Sequence, residues 1–352
     1  MIFAPMFRTD LRTCNLVALA LVGSLAAAQP PAGYYDSAEG LSGLALKQAL
    51  HNIIDNQDPL TYSGLWTAFS TTDATPANKV WDIYSDVPGG TPAYLYSFGS
   101  DQCGTYNSEG DCYNREHSFP QSWFNGQMPM NTDLFHLYPT DGYVNNMRGN
   151  LPYGDVGSAD WTSTNGSKKG LCMDPGYNST VFEPIDAYKG DLARTYFYMM
   201  TRYYSQMSGW NSPVVQNGDL IPWNLAVMLQ WNDLDPVSPK EIARNNAVYG
   251  LQENRNPFID RPEWVHAIWG GTASVAEQQG GGMRLFADGS GLHVKRQSGD
   301  AGMLLVLDLM GRQVFSAPIN GMQSDLAFTG AAGAYIAEVV TPKGRTVKRF
   351  VR

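Results

Sequence analysis

The sequence predicts an α+β protein, with a helix-rich body over residues 29–270 and a small all-β sandwich over residues 283–352. Three observations carry this reading. Amphipathic runs at helical spacing recur through the first part. The composition then shifts to Ala, Ser, Gln and Gly over residues 271–282, ending in Gln-Gln-Gly-Gly-Gly, which behaves as a flexible linker. Beyond it, short alternating runs are separated by Gly, Asn and Pro turns. A chain of 352 residues exceeds what one hydrophobic core usually holds, which fits two folded units. With 43% hydrophobic and 12% aromatic residues, the chain is not of the disordered class.

Residues 1–28 carry Arg8 and Arg12, an apolar run over 16–25, and Ala26-Ala27-Ala28 before Gln29-Pro30. That is the layout of a cleaved secretory signal. The run is too short to span a membrane, which takes about 20 apolar residues, and no later segment reaches that length. The mature protein is therefore expected to be exported and soluble. Loss of the segment takes the formal net charge from −9 to −10. An acidic chain argues against non-specific adhesion to nucleic acid, which clustered Lys and Arg drive, so a polyanion site must be a local focus of a few arginines or a metal ion. Cys103, Cys112 and Cys172 remain after cleavage. In an oxidising compartment an odd count points to one disulfide and one leftover thiol. Cys103 and Cys112 flank a turn-rich loop that can bring them together; three buried thiols are the alternative.

Residues 41–54 place Leu41, Leu44, Leu46, Leu50, Ile53 and Ile54 at roughly helical spacing, which predicts an amphipathic helix with His51 on its surface. Residues 80–84 alternate in character before Pro88-Gly89-Gly90 and predict a short strand and a turn. Residues 138–141 read as a loop ending in a helix cap, and residues 143–149 as a short helix that Gly149 stops. Asn145 and Arg148, three apart, share a face of it. Residues 149–155 and 157–169, rich in Gly, Ser, Asn and Thr, read as surface loop. The strongest helical runs are 191–204 and 220–229, whose Met and Tyr positions read as core. A further helix over 239–253 carries Lys240, Glu241 and Arg244, with Arg255 just beyond, an ordinary solvated face by itself. The runs 303–308, 313–315, 334–340 and 346–351 make up the sandwich, in which no catalytic constellation is visible.

Chemistry concentrates in residues 114–123, Asn-Arg-Glu-His-Ser-Phe-Pro-Gln-Ser-Trp, which set a guanidinium, a carboxylate and an imidazole side by side in a chain with five histidines. A second run, 133–150, supplies carboxamides, another histidine and another arginine. The two read as halves of one site. On a regular strand, neighbouring side chains point to opposite faces. A strand-to-loop bend, which Pro120 allows, lets Glu116 and His117 serve one centre. Glu116 then offers a hard oxygen to a divalent ion, and His117 an imidazole of pKa about 6.5 that can take a proton from water. One carboxylate, one carboxamide and several waters suit Mg²⁺ or a similar hard ion. A base, a metal and an arginine are the equipment for phosphodiester hydrolysis. The competing reading makes Arg115 and Glu116 a surface pair and His117 a hydrogen-bonded core residue.

These two runs, with Arg194-Thr-Tyr-Phe-Tyr-Met and Asn254-Arg-Asn-Pro-Phe-Ile-Asp260, resemble the endonuclease I family of secreted bacterial nucleases, which belong to the ββα-metal (His-Me finger) nucleases. The resemblance covers roughly residues 43–269. It implies a ββα-metal core surrounded by helices, with His117 as general base and Glu116 as a metal ligand. Asn145 would be the second ligand, with Asn150 the less favoured candidate. His136 and Arg148 would lie nearby as supporting or phosphate-facing groups. The chain departs from the family pattern in carrying Phe135 where a histidine is typical, and in lacking an arginine in the loop 124–132, so that Arg115 or Arg148 would hold the phosphate instead. The implied activity is hydrolysis of DNA, and of RNA, with little sequence specificity, leaving 5′ phosphates and using Mg²⁺ (or Mn²⁺ or Ca²⁺). The C-terminal part, with Val306-Leu-Asp-Leu-Met-Gly-Arg-Gln-Val314 and a basic end, is similar to the sorting domains of the type IX secretion system. That implies dealings with the export machinery and a secreted or surface-attached product. An adhesion module is the alternative for this part. For the whole chain the alternative is a secreted binding protein whose nuclease-like domain has decayed.

Overall fold

Helix α1 (Gly43–Ile54) buries Leu46, Leu50 and Ile54, whose four-residue spacing puts them on one stripe. It belongs to a computed structural model that describes residues 30–270, 283–288, 291–296, 299–308, 312–331 and 334–351. The expected signal at 1–28 and linker at 271–282 lie outside the described residues. After α2 (Leu65–Thr72) the chain runs through a long irregular stretch to strand β1 (Tyr113–His117). Strand β2 (Leu137–Asp141) pairs antiparallel with it, setting Glu116 opposite Tyr138 and His117 opposite Leu137. Helix α3 (Gly142–Arg148) follows without a break.

Both ends of α3 were legible. The Asp141 carboxylate accepts from Val144 N at 2.8 Å, capping the first turn. At the other end Gly149 takes φ +56°, a left-handed conformation that suits glycine and stops the helix. Residues 138–141, expected as loop, instead belong to the fully buried strand β2.

A three-stranded antiparallel sheet comes next, of β3 (Val156–Thr162), β4 (Lys168–Cys172) and β5 (Thr180–Glu183) in that order. This corrects the surface loop expected over 157–169. The edge strand β3 is largely exposed on both faces, so it carries no alternation of polar and apolar residues to betray it. Residues 80–84 are likewise not a strand among the described residues. Val80 makes only an isolated bridge to Ala74, and the Asp82 carboxylate draws Tyr84 N and Ser85 Oγ into a turn at 2.8 and 2.7 Å.

Helix α4 (Lys189–Arg202) is the spine of the body. All of its residues are buried, and it packs against α1. The short pair β6 (Val215–Gln216) and β7 (Asp219–Leu220) leads to α5 (Pro222–Leu234), which also packs on α4. Helices α6 (Pro239–Gln252), α7 (Pro257–Asp260) and α8 (Glu263–Trp269) close this part. The Met and Tyr positions of α4, among them Tyr196, Tyr198, Met199 and Met200, are core, as expected.

Two expectations of exposure fail for a common reason. His51 is buried, with Nδ1 2.9 Å from Arg202 O and its ring edge-on to Tyr204, so it serves the C-terminal end of α4. Glu241 and Arg244 of α6, and Arg255 just beyond it, are buried too. Glu241 accepts from Arg194 Nε at 2.6 Å, Arg244 donates to Asp73 at 2.7 Å, and Arg255 donates to Asp260 at 2.6 Å. Lys240 Nζ sits over the rings of Trp81 and Tyr188 at 4.7 and 4.6 Å. Glu241 and Arg244 are each satisfied by a partner distant in sequence and Arg255 by Asp260 five residues on, and helical periodicity does not register the distant partners.

The C-terminal residues form two antiparallel sheets. Strands β8 (Arg284–Asp288), β9 (Gly291–Lys295), β10 (Gly302–Leu307), β11 (Gln313–Ile319), β12 (Gln323–Leu326), β13 (Ala334–Thr341) and β14 (Gly344–Val351) are ordered β12-β9-β8 in one and β11-β10-β13-β14 in the other. Leu292 and Val294 of the first share one buried cluster with Leu304, Val306, Ala337 and Val339 of the second. The overall class is α+β. No helix among the described residues is long and apolar enough to cross a membrane.

Candidate active site

The strand β1 delivers Asn114, Arg115, Glu116 and His117 to one cleft of about 320 Å³, which Asn145 and Asn150 also line. The bend expected after His117 is present: residues 121–124 turn in a 3₁₀ helix directly after Pro120. Asn145 comes from α3, which follows β2, so two strands and a helix assemble the site from the two motifs.

His117 is 6% exposed and its orientation is set from behind. Nε2 lies 3.2 Å from the carbonyl of Asn131, and a carbonyl can only accept, so Nε2 carries the proton. Nδ1 is left as the lone-pair nitrogen, with no hydrogen bond to it among the described residues. The ring is packed by Phe124 and by His136, 5.5 Å away, and lies nearly parallel to Tyr62. Burial, followed by the neighbouring His136, lowers the His117 pKa to about 3, so the imidazole is neutral near pH 7.

Glu116 is 2% exposed and its two oxygens have different surroundings. Oε1 accepts from Tyr84 OH at 2.8 Å and from Arg148 Nη1 at 3.0 Å. Tyr84 OH in turn meets Tyr153 OH at 2.6 Å. Oε2 has no hydrogen-bond partner among the described residues. Burial raises the carboxyl pKa, and the Arg148 cation and the Tyr84 hydroxyl oppose that shift. A guanidinium 3.0 Å away does not give up its proton, so the carboxylate form is the one this pocket is built around.

Asn145 is oriented in the same manner. Its Nδ2 donates to Asn114 Oδ1 at 2.7 Å, which leaves Oδ1 as the uncommitted acceptor. Glu116 Oε2 and Asn145 Oδ1 are thus two hard oxygen donors with no other duty, the chemistry that Mg²⁺, Mn²⁺ or Ca²⁺ takes. Asn150 is exposed and lines the cleft as a further oxygen donor. No group of three or more His, Cys, Asp or Glu side chains that could hold a metal ion occurs among the described residues.

Two residues expected nearby as supporting or phosphate-facing groups are buried out of the cleft. Arg148 is fully buried behind Glu116, where Nη1 also donates to His117 O at 2.8 Å and Nη2 to Ser118 O at 2.5 Å, with Tyr153 under the guanidinium. It ties the bend after β1 together, and it is absent from the cleft lining. His136 is also fully buried, its Nε2 2.6 Å from Met130 O, and it reaches the site only by packing on His117. Arg115 does line the cleft. The surface pair of Arg115 with Glu116 is not formed, because Glu116 is taken by Arg148 and Arg115 lies over Tyr62. Phe135, at the position of departure from the family pattern, is buried against Tyr198.

The chain matches the profile described as Endonuclease I over residues 42–263, more than half its length. The chain belongs to the endonuclease I family. Among its relatives, the extracellular ribonuclease of Bacillus amyloliquefaciens is 37% identical over 246 residues, spanning 67% of this chain and 78% of that protein. The extracellular ribonuclease of Bacillus subtilis (strain 168) is 34% identical over 244 residues, with the same two shares. An endonuclease-1 of Buchnera aphidicola subsp. Baizongia pistaciae is 30% identical over 129 residues, 36% of this chain and 46% of that one. The family match stops short of the strands β8 to β14.

Sequence reasoning missed the parts of this endonuclease I site that come from outside the motifs. Tyr84 holds Glu116, with Tyr153 bonded behind Tyr84, and Tyr62 and Trp66 line the cleft beside Arg115. No spacing rule connects a lone tyrosine at 84 with a carboxylate at 116. The disulfide was legible: Cys103 and Cys112 are joined, Cys103 lines the cleft, and Cys172 is the leftover buried thiol, its pKa pushed up to about 12 by burial.

Proposed function

We propose that this protein is a secreted, metal-dependent endonuclease that hydrolyses DNA and RNA with little sequence specificity and leaves 5′ phosphates. The observation that carries the reading is the His117 tautomer. Its Nε2 is bound to Asn131 O, so Nδ1 is the basic nitrogen at a cleft that Glu116 and Asn145 share. His117 acts as general base and accepts the proton of the attacking water at Nδ1. Glu116, with Asn145 and secondarily Asn150, would hold one Mg²⁺, or Mn²⁺ or Ca²⁺ in its place. Such an ion supplies Lewis-acid stabilisation of charge at the phosphate and the departing 3′ oxygen. Arg115 holds a substrate phosphate, the role for which loop 124–132 has no arginine. Arg148 and His136 act by position, the first on Glu116 and the second on His117. The arrangement of β1, β2 and α3 is read as the ββα-metal core.

The names of the Bacillus relatives support both an RNA substrate and secretion, and endonuclease-1 supports endonucleolytic cleavage. Residues 1–28 are read as the export signal and residues 283–352 as a type IX sorting domain, surface-attached or removed after export. The test is cleavage of plasmid DNA and of a defined RNA, with and without EDTA, by the wild type and by His117→Ala. Full activity in chelator would overturn the metal requirement. An unaffected rate in the variant would remove His117 as base.

A further inference from the structure

We infer that Tyr62, together with Trp66, is the positioning residue that holds Arg115 as the phosphate grip of the cleft; this rests on the reading of Arg115 given above. Among the residues that line the cleft, Arg115 is the one Lys or Arg. It has the charge of its surroundings to overcome: the chain is net −9 and Glu116 opens into the same cleft. No carboxylate among the described residues lies within ion-pair distance of Arg115, so its charge is not spent on the protein.

What fixes the side chain is aromatic. The guanidinium carbon lies 3.7 Å from the centroid of the Tyr62 ring and 4.4 Å from that of Trp66. Nη1 donates to the Tyr62 carbonyl at 2.8 Å. No hydrogen bond among the described residues uses Nε or Nη2, which leaves donors of the planar fork for a phosphate oxygen. A free arginine would have to order several rotatable bonds when substrate binds. Here the rings have ordered it beforehand, and the ring faces add cation–π attraction without neutralising the charge. Trp66 is braced in turn against Tyr113 of β1 and Phe69, while Tyr62 is 38% exposed and can be changed without opening the core.

The test uses the full chain with Mg²⁺ and a short oligonucleotide substrate, comparing Arg115→Ala, Tyr62→Ala and Tyr62→Phe across a series of monovalent salt concentrations, with melting temperatures for each. Arg115→Ala is expected to raise KM about tenfold, the worth of one charge-assisted contact, and to lessen the salt dependence by about one ion. Tyr62→Ala is expected to raise KM about threefold and to lower the salt slope in the same direction as Arg115→Ala. Tyr62→Phe keeps the ring and the carbonyl, and is expected to restore the wild-type KM. If Arg115→Ala shifts KM and slope but Tyr62→Ala shifts neither, the inference about Tyr62 falls and the reading of Arg115 stands. If Arg115→Ala shifts neither, both fall. A Tyr62→Ala enzyme that loses kcat and melting temperature together at constant KM has lost structure, and that too overturns the inference.

Discussion

Arg148 Nη1 lies 3.0 Å from Glu116 Oε1, and neither side chain is more than 3% exposed. The same guanidinium binds the carbonyls of His117 and Ser118. One buried cation therefore fixes the carboxylate and the backbone bend that carries the imidazole. Removing a single partner of such a pair leaves an uncompensated buried charge. Arg148→Ala is expected to cost about 3 to 5 kcal/mol of stability, read from the shift of a denaturant unfolding midpoint. A loss below about 1 kcal/mol would mean that the pair is not closed in solution.

His117→Ala removes the proposed base while leaving Arg148, Glu116 and Asn145 in place. The expected outcome is a fall in kcat of about 10² to 10⁴ with little change in KM. The ring also packs on Phe124 and His136, so a modest drop in melting temperature accompanies the loss. Circular dichroism of the variant separates the two effects, since a retained fold with a near-normal rate would remove His117 from the chemistry.

How much of this was readable follows from where the partners lie in sequence. His117, Glu116 and Asn145 were visible because residues 114–123 and 133–150 each hold their reactive groups within a few positions, and because Asp141 and Gly149 mark both ends of α3. Residues that act across the fold were not. Arg244 looks solvated on its helix, yet it donates to Asp73, Leu134 O and Leu137 O, and so braces the start of β2. Tyr84 and Tyr62 lie some thirty and fifty residues from the groups they hold. Strand β3 escaped because its residues are exposed, and period-two alternation exists only where one face of a strand is buried.

The Cys103–Cys112 disulfide closes a short loop whose other contacts bear on the site. Gly110 N donates to Asp141, the residue that caps α3, and Gly142 N donates to Cys112 O. Loop-closure entropy for a separation of this size corresponds to about 2 to 3 kcal/mol. Cys103→Ser with Cys112→Ser is expected to lower the unfolding free energy by about that amount, and reductant is expected to do the same to the wild type. Equal midpoints with and without reductant would show that the bond is absent from the isolated protein.

The metal proposal has a consequence that does not depend on turnover. An ion that binds only the folded chain stabilises it by about 2.7 kcal/mol at one hundred times its dissociation constant. Mg²⁺ or Mn²⁺ is thus expected to raise the melting temperature by several degrees, and EDTA to reverse the rise. Asn145 is the better residue to change in this test. Substituting Glu116 would strand Arg148 in the interior, whereas Asn145 is partly exposed and the one hydrogen bond of its side chain among the described residues is to Asn114. Asn145→Ala should therefore keep the metal-free melting temperature near wild type and lose most of the metal-induced shift. If the shift survives intact in Asn145→Ala, the second ligand comes from elsewhere, and Asn150 on the same cleft is the next residue to change. If no shift occurs in the wild type at millimolar ion, the oxygens of Glu116 and Asn145 are not a metal site, and the catalytic reading loses its electrophile.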